Sequence, residues 1–139
     1  MIYLANDHGG VELKNKIKKF LKKIGYDFVD LGCESKTSTN YVEYAKKLCE
    51  KVLESEENKG ILICKSGIGM SIAANRHKGI RAGLCYSVKA SKLCREHNDC
   101  NVLVLKGNTI FYRKMIKNFL QTKFLGGRHL ERVKSIDEI

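Results

Sequence analysis

The 139 residues include no proline, and the 12 glycines stand at the ends of predicted segments rather than in one flexible stretch. The sequence therefore predicts neither a linker nor a repeat, and residues 1–139 are expected to form one domain. Apolar runs such as 61–64 are far shorter than the roughly 20 residues of a membrane-spanning helix, so no membrane association is expected. The N-terminal sequence lacks the basic and apolar regions of a secretory signal, which predicts a cytoplasmic protein.

None of the six cysteines forms a C-x-x-C pair. A disulfide framework or a zinc site is therefore not predicted, and we expect no bound metal. The cysteines stand in apolar or helix-like runs, where free thiols act as small hydrophobic side chains in a reducing compartment. They are Cys33, Cys49, Cys64, Cys85, Cys94 and Cys100.

Acidic residues are the minority, since 26 lysines and arginines stand against 15 aspartates and glutamates, a formal net charge of +11. This excess favours polyanionic or phosphorylated partners in general. Lys14, Lys18 and Lys22 recur at i, i+4 spacing and predict a basic, solvent-exposed helix face. A basic nucleic-acid-binding module is one alternative. No recognition motif or aromatic stacking platform accompanies these lysines, so no nucleic-acid partner is expected.

Short apolar runs alternate five times with segments whose apolar residues recur at helical spacing. Strands are predicted at residues 2–5, 26–31, 60–64, 80–86 and 102–105, and helices at residues 11–24, 41–52, 70–75, 88–96 and 111–123. Five βα units imply a parallel sheet with helices on both faces, because crossovers between parallel strands are right-handed. The last segment, residues 128–139, has few apolar residues for independent packing, and we expect it to rest on another subunit.

Ligands of open parallel sheets bind beyond the carboxyl ends of the strands, so candidate site residues should follow the strands. Cys64 ends the third strand and is followed by Ser66, Gly67 and Gly69 ahead of a predicted helix. Backbone N–H groups at a helix N-terminus bind anions, and a thiol there can act as a nucleophile or a base. The alternative, a buried cysteine followed by a turn glycine, stays open. The loop is not a dinucleotide fingerprint, because Ile72 stands where a third glycine is needed.

Three further polar clusters carry candidate chemistry. Asp7 and His8 follow the first strand, and the alternative for Asp7 is a helix N-cap. His97 follows the fourth helix. Arg128 and Arg132 lie four residues apart, so on a helix they share a face and can clamp one phosphate, although an exposed basic turn is the alternative. Combined with a thiol and an anion cradle, these groups suit proton transfer on a phosphorylated carbonyl compound.

Six motifs, in order along the whole chain, resemble ribose-5-phosphate isomerase type B. They are NDHGGVELK at 6–14, GILIC at 60–64, GIGMSIAAN at 67–75, GIRA at 79–82, REHND at 95–99 and GGRH at 126–129. The resemblance implies an α/β fold, a Rossmann-like three-layer α/β/α sandwich with five parallel strands. It also implies an aldose–ketose isomerase that interconverts ribose 5-phosphate and ribulose 5-phosphate through an enediolate, without cofactor or metal.

The same resemblance implies roles for individual residues. Cys64 matches the base that moves the proton, and His97 matches the acid or base that assists ring opening. Ser66 and the N–H groups after it match an anion hole, and Asp7 is expected in both the catalytic and the binding set. The expected substrate-binding residues are Asp7, His8, Tyr41, Lys65, Ser66, Gly67, Ile68, Gly69, Ser71, Asn98, Arg128 and Arg132.

The resemblance further implies a homodimer, alone or paired with a second dimer. In that family the active site lies between two subunits. The resemblance therefore implies that His97 and the C-terminal arginines come from the partner of the subunit that supplies Cys64. A helical tail over residues 128–139 is therefore expected to pack on the partner subunit, where it gains burial that its own chain does not offer.

Three segments depart from the family pattern. Residues 64–67 read Cys-Lys-Ser-Gly instead of Cys-Gly-Thr-Gly, residues 40–42 read Asn-Tyr-Val instead of Asp-Tyr-Pro, and residues 106–108 read Lys-Gly-Asn instead of Gly-x-Arg. A phosphate-binding arginine is thus absent, and a lysine offers a point charge rather than a bidentate fork. A six-carbon substrate such as allose 6-phosphate is therefore the alternative. The cations available in its place are Lys65, Lys106 and Arg113.

Overall fold

Five parallel strands form one sheet, with helices on both of its faces, in the computed structural model, which describes residues 1–139. The strands are β1 (Ile2–Asn6), β2 (Phe28–Asp30), β3 (Lys59–Cys64), β4 (Ala82–Leu84) and β5 (Val102–Lys106). The helices are α1 (Val11–Lys23), α2 (Tyr41–Val52), α3 (Ile68–Asn75), α4 (Val88–Glu96), α5 (Tyr112–Gln121) and α6 (Arg128–Asp137). The predicted α/β sandwich is confirmed. None of the helices combines the length and the apolar character that crossing a membrane requires.

The strand order is β2-β1-β3-β5-β4, with every neighbouring pair parallel. From β1 the chain crosses to β2 on one side and then to β3 on the other. Such a reversal opens a crevice at the carboxyl ends of the two central strands. Cys64, the last residue of β3, is the register partner of Lys106 at the end of β5. The fold therefore brings the ends of β1, β3 and β5 to one edge.

Two apolar layers sandwich the sheet, and alternate residues of each strand enter one or the other. Ile61 and Ile63 of β3 pack in the layer that α1, α4 and α5 cover. Leu62 and Cys64 pack in the layer that α2 and α3 cover. β3 is buried on both faces, as its continuous apolar sequence predicts, because burial of each such aliphatic side chain contributes about 1.5–3 kcal/mol.

The observed elements differ from the predicted ones mainly at their ends. The outer strands β2 and β4 are three residues each, shorter than the predicted runs, since each pairs on only one side. Helix α3 begins at Ile68, two residues before the predicted start. Gly67 is the reason, because it adopts φ 82° and turns the chain directly from the strand into the helix. A Cβ on Gly67 would lie 2.6 Å from Cδ1 of Leu84, so the turn requires glycine.

Lys14 is fully buried, so the expectation of an entirely solvent-exposed lysine face is wrong at this position. Its Nζ donates to the carbonyl oxygen of Cys33 at 2.7 Å and lies 3.2 Å from Oδ2 of Asp30. Lys18 contacts the same carboxylate at 3.0 Å. Burial raises the pKa of Asp30, but the N–H of Gly32 and the two ammonium groups outweigh burial and hold this pKa below its ordinary value.

This buried pair ties the loop between β2 and α2 to the rest of the chain. The side-chain amide of Asn6 donates to the same Cys33 carbonyl at 3.0 Å. Gly32 leaves no room for a side chain there, because a Cβ would collide with Oδ1 of Asn6. The loop is therefore held beside the end of β1, and it presents Thr39 and Tyr41 to the carboxyl edge.

The C-terminal segment folds as α6, and its contacts with its own chain include an ion pair, one buried side chain and a ring stack of His129 on His97. Asp137 accepts two hydrogen bonds from Nη1 of Arg81 at 2.8 and 2.7 Å, and Val133 is buried. Leu130 and Ile136 of the same helix are exposed. Within one chain α6 therefore leaves much of its apolar surface uncovered.

Replacing Lys14 by methionine should lower the free energy of unfolding by about 3 kcal/mol, because it removes one partner of a buried ion pair and a donor to the Cys33 carbonyl. Lys18→Met is the matched control. It takes the same charge from the same carboxylate at a partly exposed position and should cost less than about 1 kcal/mol. Urea unfolding of both variants at neutral pH measures the difference, and equal losses would contradict the buried network.

Candidate active site

Three backbone segments meet at the carboxyl edge of the sheet, one after each of β1, β3 and β5. A Cβ on Gly9 would lie 2.9 Å from the backbone N of Lys65. A Cβ on Gly107 would collide with the carbonyl oxygen of Gly9. The N–H of Gly107 donates to the carbonyl oxygen of Cys64 at 2.9 Å. These contacts fix the three segments against one another, so the side chains they carry have defined relative positions.

The thiol of Cys64 lies at this edge and is only 5% exposed. The N–H of Gly67 donates to its Sγ at 3.1 Å. This hydrogen bond fixes the position of the sulfur atom against the turn that begins α3. Ser66 stands in the same turn, and its Oγ accepts from the N–H of Ile68 at 3.1 Å. The hydroxyl hydrogen of Ser66 is thereby left free to donate.

The N-terminus of α3 offers fewer free donors than the sequence predicts. In the expected binding run, the N–H groups of Gly67 and Ile68 are already used, and that of Ser71 donates to the Gly67 carbonyl at 3.0 Å. The N–H groups of Gly69 and Met70 make no backbone hydrogen bond, as is usual in the first turn of a helix. An anion at this edge would therefore meet these two donors and the hydroxyl of Ser66.

Asp7 and His8 follow β1, and both are held by the backbone around them. Asp7 is buried, and its Oδ1 accepts from the N–H of Gly9 at 2.9 Å, so it does cap the 3₁₀ turn His8–Gly10. His8 exchanges two hydrogen bonds with Thr39: its N–H donates to Oγ1 at 3.3 Å and its Nδ1 accepts from the Thr39 N–H at 3.2 Å. Because Nδ1 accepts, the neutral ring carries its proton on Nε2, the nitrogen that is free to bind a ligand.

Tyr41 begins α2 and covers the start of α3. A Cβ on Gly69 would lie 2.5 Å from Cζ of the tyrosine ring, so the absent side chain makes room for this contact. Asn40, where the family pattern has aspartate, caps α2 by accepting from the N–H of Val42 at 3.1 Å. The cap is therefore retained without a carboxylate. Tyr41 is 38% exposed and closes the α2 side of the edge.

The other predicted site residues form a second group, around the C-terminus of α4 and the start of α6. The rings of His97 and His129 stack, with centroids 4.3 Å apart and planes 13° apart. The carbonyl oxygen of Asn98 accepts from Nε of Arg81 at 3.0 Å. Arg128 and Arg132 lie on α6, both exposed, so the predicted helical placement of these two arginines is correct.

The two groups stand at opposite edges of the sheet. His97 ends α4 and precedes β5, which starts at Val102 and runs to Lys106, the register partner of Cys64. Four strand steps of about 3.3 Å separate these ends, roughly 13 Å along the strand direction alone. Within one chain, His97 therefore does not reach Cys64. The side chains expected to act together are divided between the two ends of each subunit.

A cavity of about 810 Å³ lies along the edge strand β4 and not at Cys64. Its lining includes Leu84, Leu93, Asn98 and Ile136. It therefore adjoins the second group of residues and the exposed apolar side of α6. No three or more His, Cys, Asp or Glu side chains are arranged to hold a metal ion.

Sequence reasoning did not assign three residues that shape these regions, namely Thr39, Tyr86 and His129. Thr39 and His129 act through contacts between distant segments. His129 falls in the GGRH motif at 126–129, but the motif alone assigned it no role. Tyr86 ends the predicted fourth strand, and its hydroxyl donates to the carbonyl oxygen of Ser66 at 2.7 Å. Its position at the carboxyl end of a strand was the signal available in the sequence.

Fold and site together define a class: a parallel α/β enzyme with a thiol, a buried carboxylate and anion-binding donors at one edge of its sheet. The family model described as Ribose/Galactose Isomerase matches residues 2–136. The chain belongs to this family of sugar-phosphate isomerases, and the resemblance seen in its sequence motifs is confirmed.

Individual relatives match nearly the whole length of this chain in sequence or in structure. The ribose-5-phosphate isomerase B of Escherichia coli is 38% identical over 136 residues, covering 96% of this chain and 91% of that protein. The crystal structure of the Thermotoga maritima enzyme has a TM-score of 0.95 and 45% identity, covering 99% and 97% of the two chains. The Mycoplasma genitalium structure with bound ribulose 5-phosphate has a TM-score of 0.93 and 36% identity, covering 99% and 93%.

The stack of His97 and His129 should make stability depend on pH. Partial burial, His97 and the neighbouring arginines Arg128 and Arg132 hold the pKa of His129 below its ordinary value. The unfolded chain therefore binds a proton more readily, so the contribution of His129 to stability is present above pH ~6.5 and is lost as the pH falls. The melting temperature should fall more for the wild type than for His129→Gln between about pH 7.5 and 5.5. Equal decreases in the melting temperature of the two proteins would contradict a contribution of His129 to the pH dependence.

Proposed function

We propose that this chain interconverts ribose 5-phosphate and ribulose 5-phosphate. The observation that carries the proposal is the thiol of Cys64 beside the free N–H groups of Gly69 and Met70. A base next to donors for an oxyanion is the arrangement that isomerisation through an enediolate needs. The choice of sugar is supported by the Mycoplasma genitalium relative, whose structure contains ribulose 5-phosphate.

The proposed reaction moves two hydrogens and changes no net oxidation state. The thiolate of Cys64 removes the proton on C2 of the open-chain aldose. The electron pair of that bond forms a C1–C2 double bond, and the carbonyl electrons move onto O1 to give an enediolate. The proton then returns to C1, and the O2 hydroxyl proton passes to O1, which yields the ketose. Gly67 supports this cycle, because its N–H donates to the sulfur at 3.1 Å.

The negative charge develops on the oxygens of the enediolate, next to donors that need not reorganise. Gly69 and Met70 supply backbone N–H groups, and Ser66 supplies a hydroxyl whose hydrogen is free. In other enzymes, the removal of one preorganised donor of this kind lowers kcat by about 10²–10³-fold. Asp7 is buried at the same edge with one oxygen already bonded, so its second oxygen is available to a sugar hydroxyl.

The phosphate end of the substrate requires cations and neutral donors. His8 offers its Nε2 hydrogen, because Nδ1 is occupied by Thr39. Arg128 and Arg132 are exposed on one face of α6 and suit bidentate binding of a phosphate. The two arginines lie with His97 at the edge opposite Cys64, so in one chain they cannot serve the same substrate as His8.

A homodimer resolves this division. In a twofold dimer, if one surface of the first subunit contacts a different surface of the second, the reciprocal contact also forms. The carboxyl edge of each chain can therefore meet the residues around His97 and the start of α6 of its partner. The proposed site then combines Cys64 and Asp7 of one chain with His97 for ring opening and Asn98 for sugar hydroxyls from the partner. The uncovered apolar side of α6, including Leu130 and Ile136, supports a tail that packs on the partner.

Cys64→Ser should abolish at least about 99.9% of isomerase turnover while leaving the melting temperature nearly unchanged, because a serine hydroxyl is a far weaker acid than a thiol. Cys33→Ser is the matched control, since this side chain lies outside the proposed site and should leave kcat within about twofold. Ketose formation from five- and six-carbon sugar phosphates measures the effect. Near-normal turnover by Cys64→Ser would refute Cys64 as the base. Faster turnover of allose 6-phosphate than of ribose 5-phosphate by the wild type would identify the six-carbon sugar phosphate as the substrate.

Mixing two inactive variants tests the shared site. Cys64→Ser and His97→Asn disable different subunits of each proposed site. After subunit exchange, half of the dimers are mixed and hold one intact site, so about a quarter of wild-type activity should return. The control is Cys64→Ser mixed with Asp7→Asn, which disables the same edge twice and should recover nothing. An equal outcome for both mixtures would contradict a site built from two chains.

A further inference from the structure

Lys106 stands next to Cys64 and has no part in the reaction as described above. It ends β5 and is the register partner of Cys64. Val104 packs in the same apolar layer as Cys64, and residues two apart on a strand share a face. The side chain of Lys106 therefore leaves the sheet on the face of the thiol, one strand spacing of about 4.8 Å away.

Tyr86 holds the ammonium group of Lys106 near the turn that follows Cys64. The Nζ atom lies 4.9 Å from the centroid of the tyrosine ring, a cation–π contact. The hydroxyl of the same tyrosine donates to the carbonyl oxygen of Ser66 at 2.7 Å. The cation is thus fixed, through one aromatic side chain, to the segment that supplies the donors of the anion cradle.

No carboxylate neutralises this ammonium. The ion pairs of the chain engage Lys14, Lys18, Lys36, Lys51 and Lys92, and Lys106 is in none of them. Asp7, the acid that follows β1, accepts from the N–H of Gly9 and makes no ion pair with Lys106. A half-buried positive charge with an aromatic partner and no acidic one is available to an anion.

We infer that Lys106 is a further catalytic residue, whose ammonium stabilises the oxyanion that develops on the substrate beside Cys64. The inference rests on the proposed isomerase function. The anion it meets is the enediolate rather than the phosphate, because Lys106 is the register partner of Cys64 and its ammonium is connected through Tyr86 to Ser66. A charge felt only as the oxyanion forms raises kcat and leaves substrate binding almost unchanged.

Removal of this charge gives a specific kinetic signature. Lys106→Met should lower kcat at least tenfold, with KM and the inhibition constant of inorganic phosphate within about twofold of wild type. Lys106→Arg should recover most of kcat, because it restores a cation over the ring. Lys117→Met is the control: it removes the same charge from an exposed site on α5, which covers the opposite face of the sheet, and should change nothing.

Tyr86→Phe provides a second variant that keeps the ring beneath the cation and removes only the bond to Ser66. It should lower kcat less than Lys106→Met does, with melting temperatures recorded for both. An unchanged kcat in Lys106→Met, or a raised KM with weaker phosphate inhibition at normal kcat, would overturn the inference. Failure of Lys106→Arg to rescue would do the same. A wild-type protein that converts no sugar phosphate would instead refute the proposed function.

Discussion

The close approach of three backbone segments at the carboxyl edge of the sheet is the constraint on which the rest depends. Gly10 lies so near β3 that a Cβ would be 2.7 Å from the carbonyl oxygen of Ile63, and Gly9 and Gly107 are equally confined. Side chains at these positions would push the ends of β1, β3 and β5 apart. Glycine allows the main chains to touch, so Cys64 is held in a fixed relation to its neighbours.

Parallel strands carry a second consequence, because every helix returns the chain to the opposite edge. Residues at strand ends collect around Cys64, and residues at the ends of helices, such as His97, collect at the other edge. No adjustment of loop length within one chain brings these two sets together across five residues of strand. The separation is the reason for proposing a second subunit, on which the thinly packed helix α6 would bury its apolar residues.

Predictions from the sequence succeeded where a local pattern is compatible with only one structure. They failed where contacts between distant segments determine the environment of a residue. Strand β3 was predictable, because a continuous apolar run before a polar turn suits a strand buried on both faces. The burial of Lys14 was not, since i, i+4 lysines look alike whether or not a carboxylate from another strand meets one of them. The hydrogen bond that the N–H of Ser71 donates to the Gly67 carbonyl was likewise not predictable from the motif alone.

The ion pairs of the chain determine which of its positive charges can attract an anion. A net charge of +11 attracts anions in general, but Lys14 and Lys18 share Asp30 and therefore add little to that attraction. Lys106 has no such partner and is the register partner of Cys64, the proposed base. Coulomb energy scales inversely with distance and with the local dielectric constant, so one unneutralised ammonium at the site outweighs several on the surface. The placement of carboxylates, more than the number of lysines, decides where this protein favours an anion.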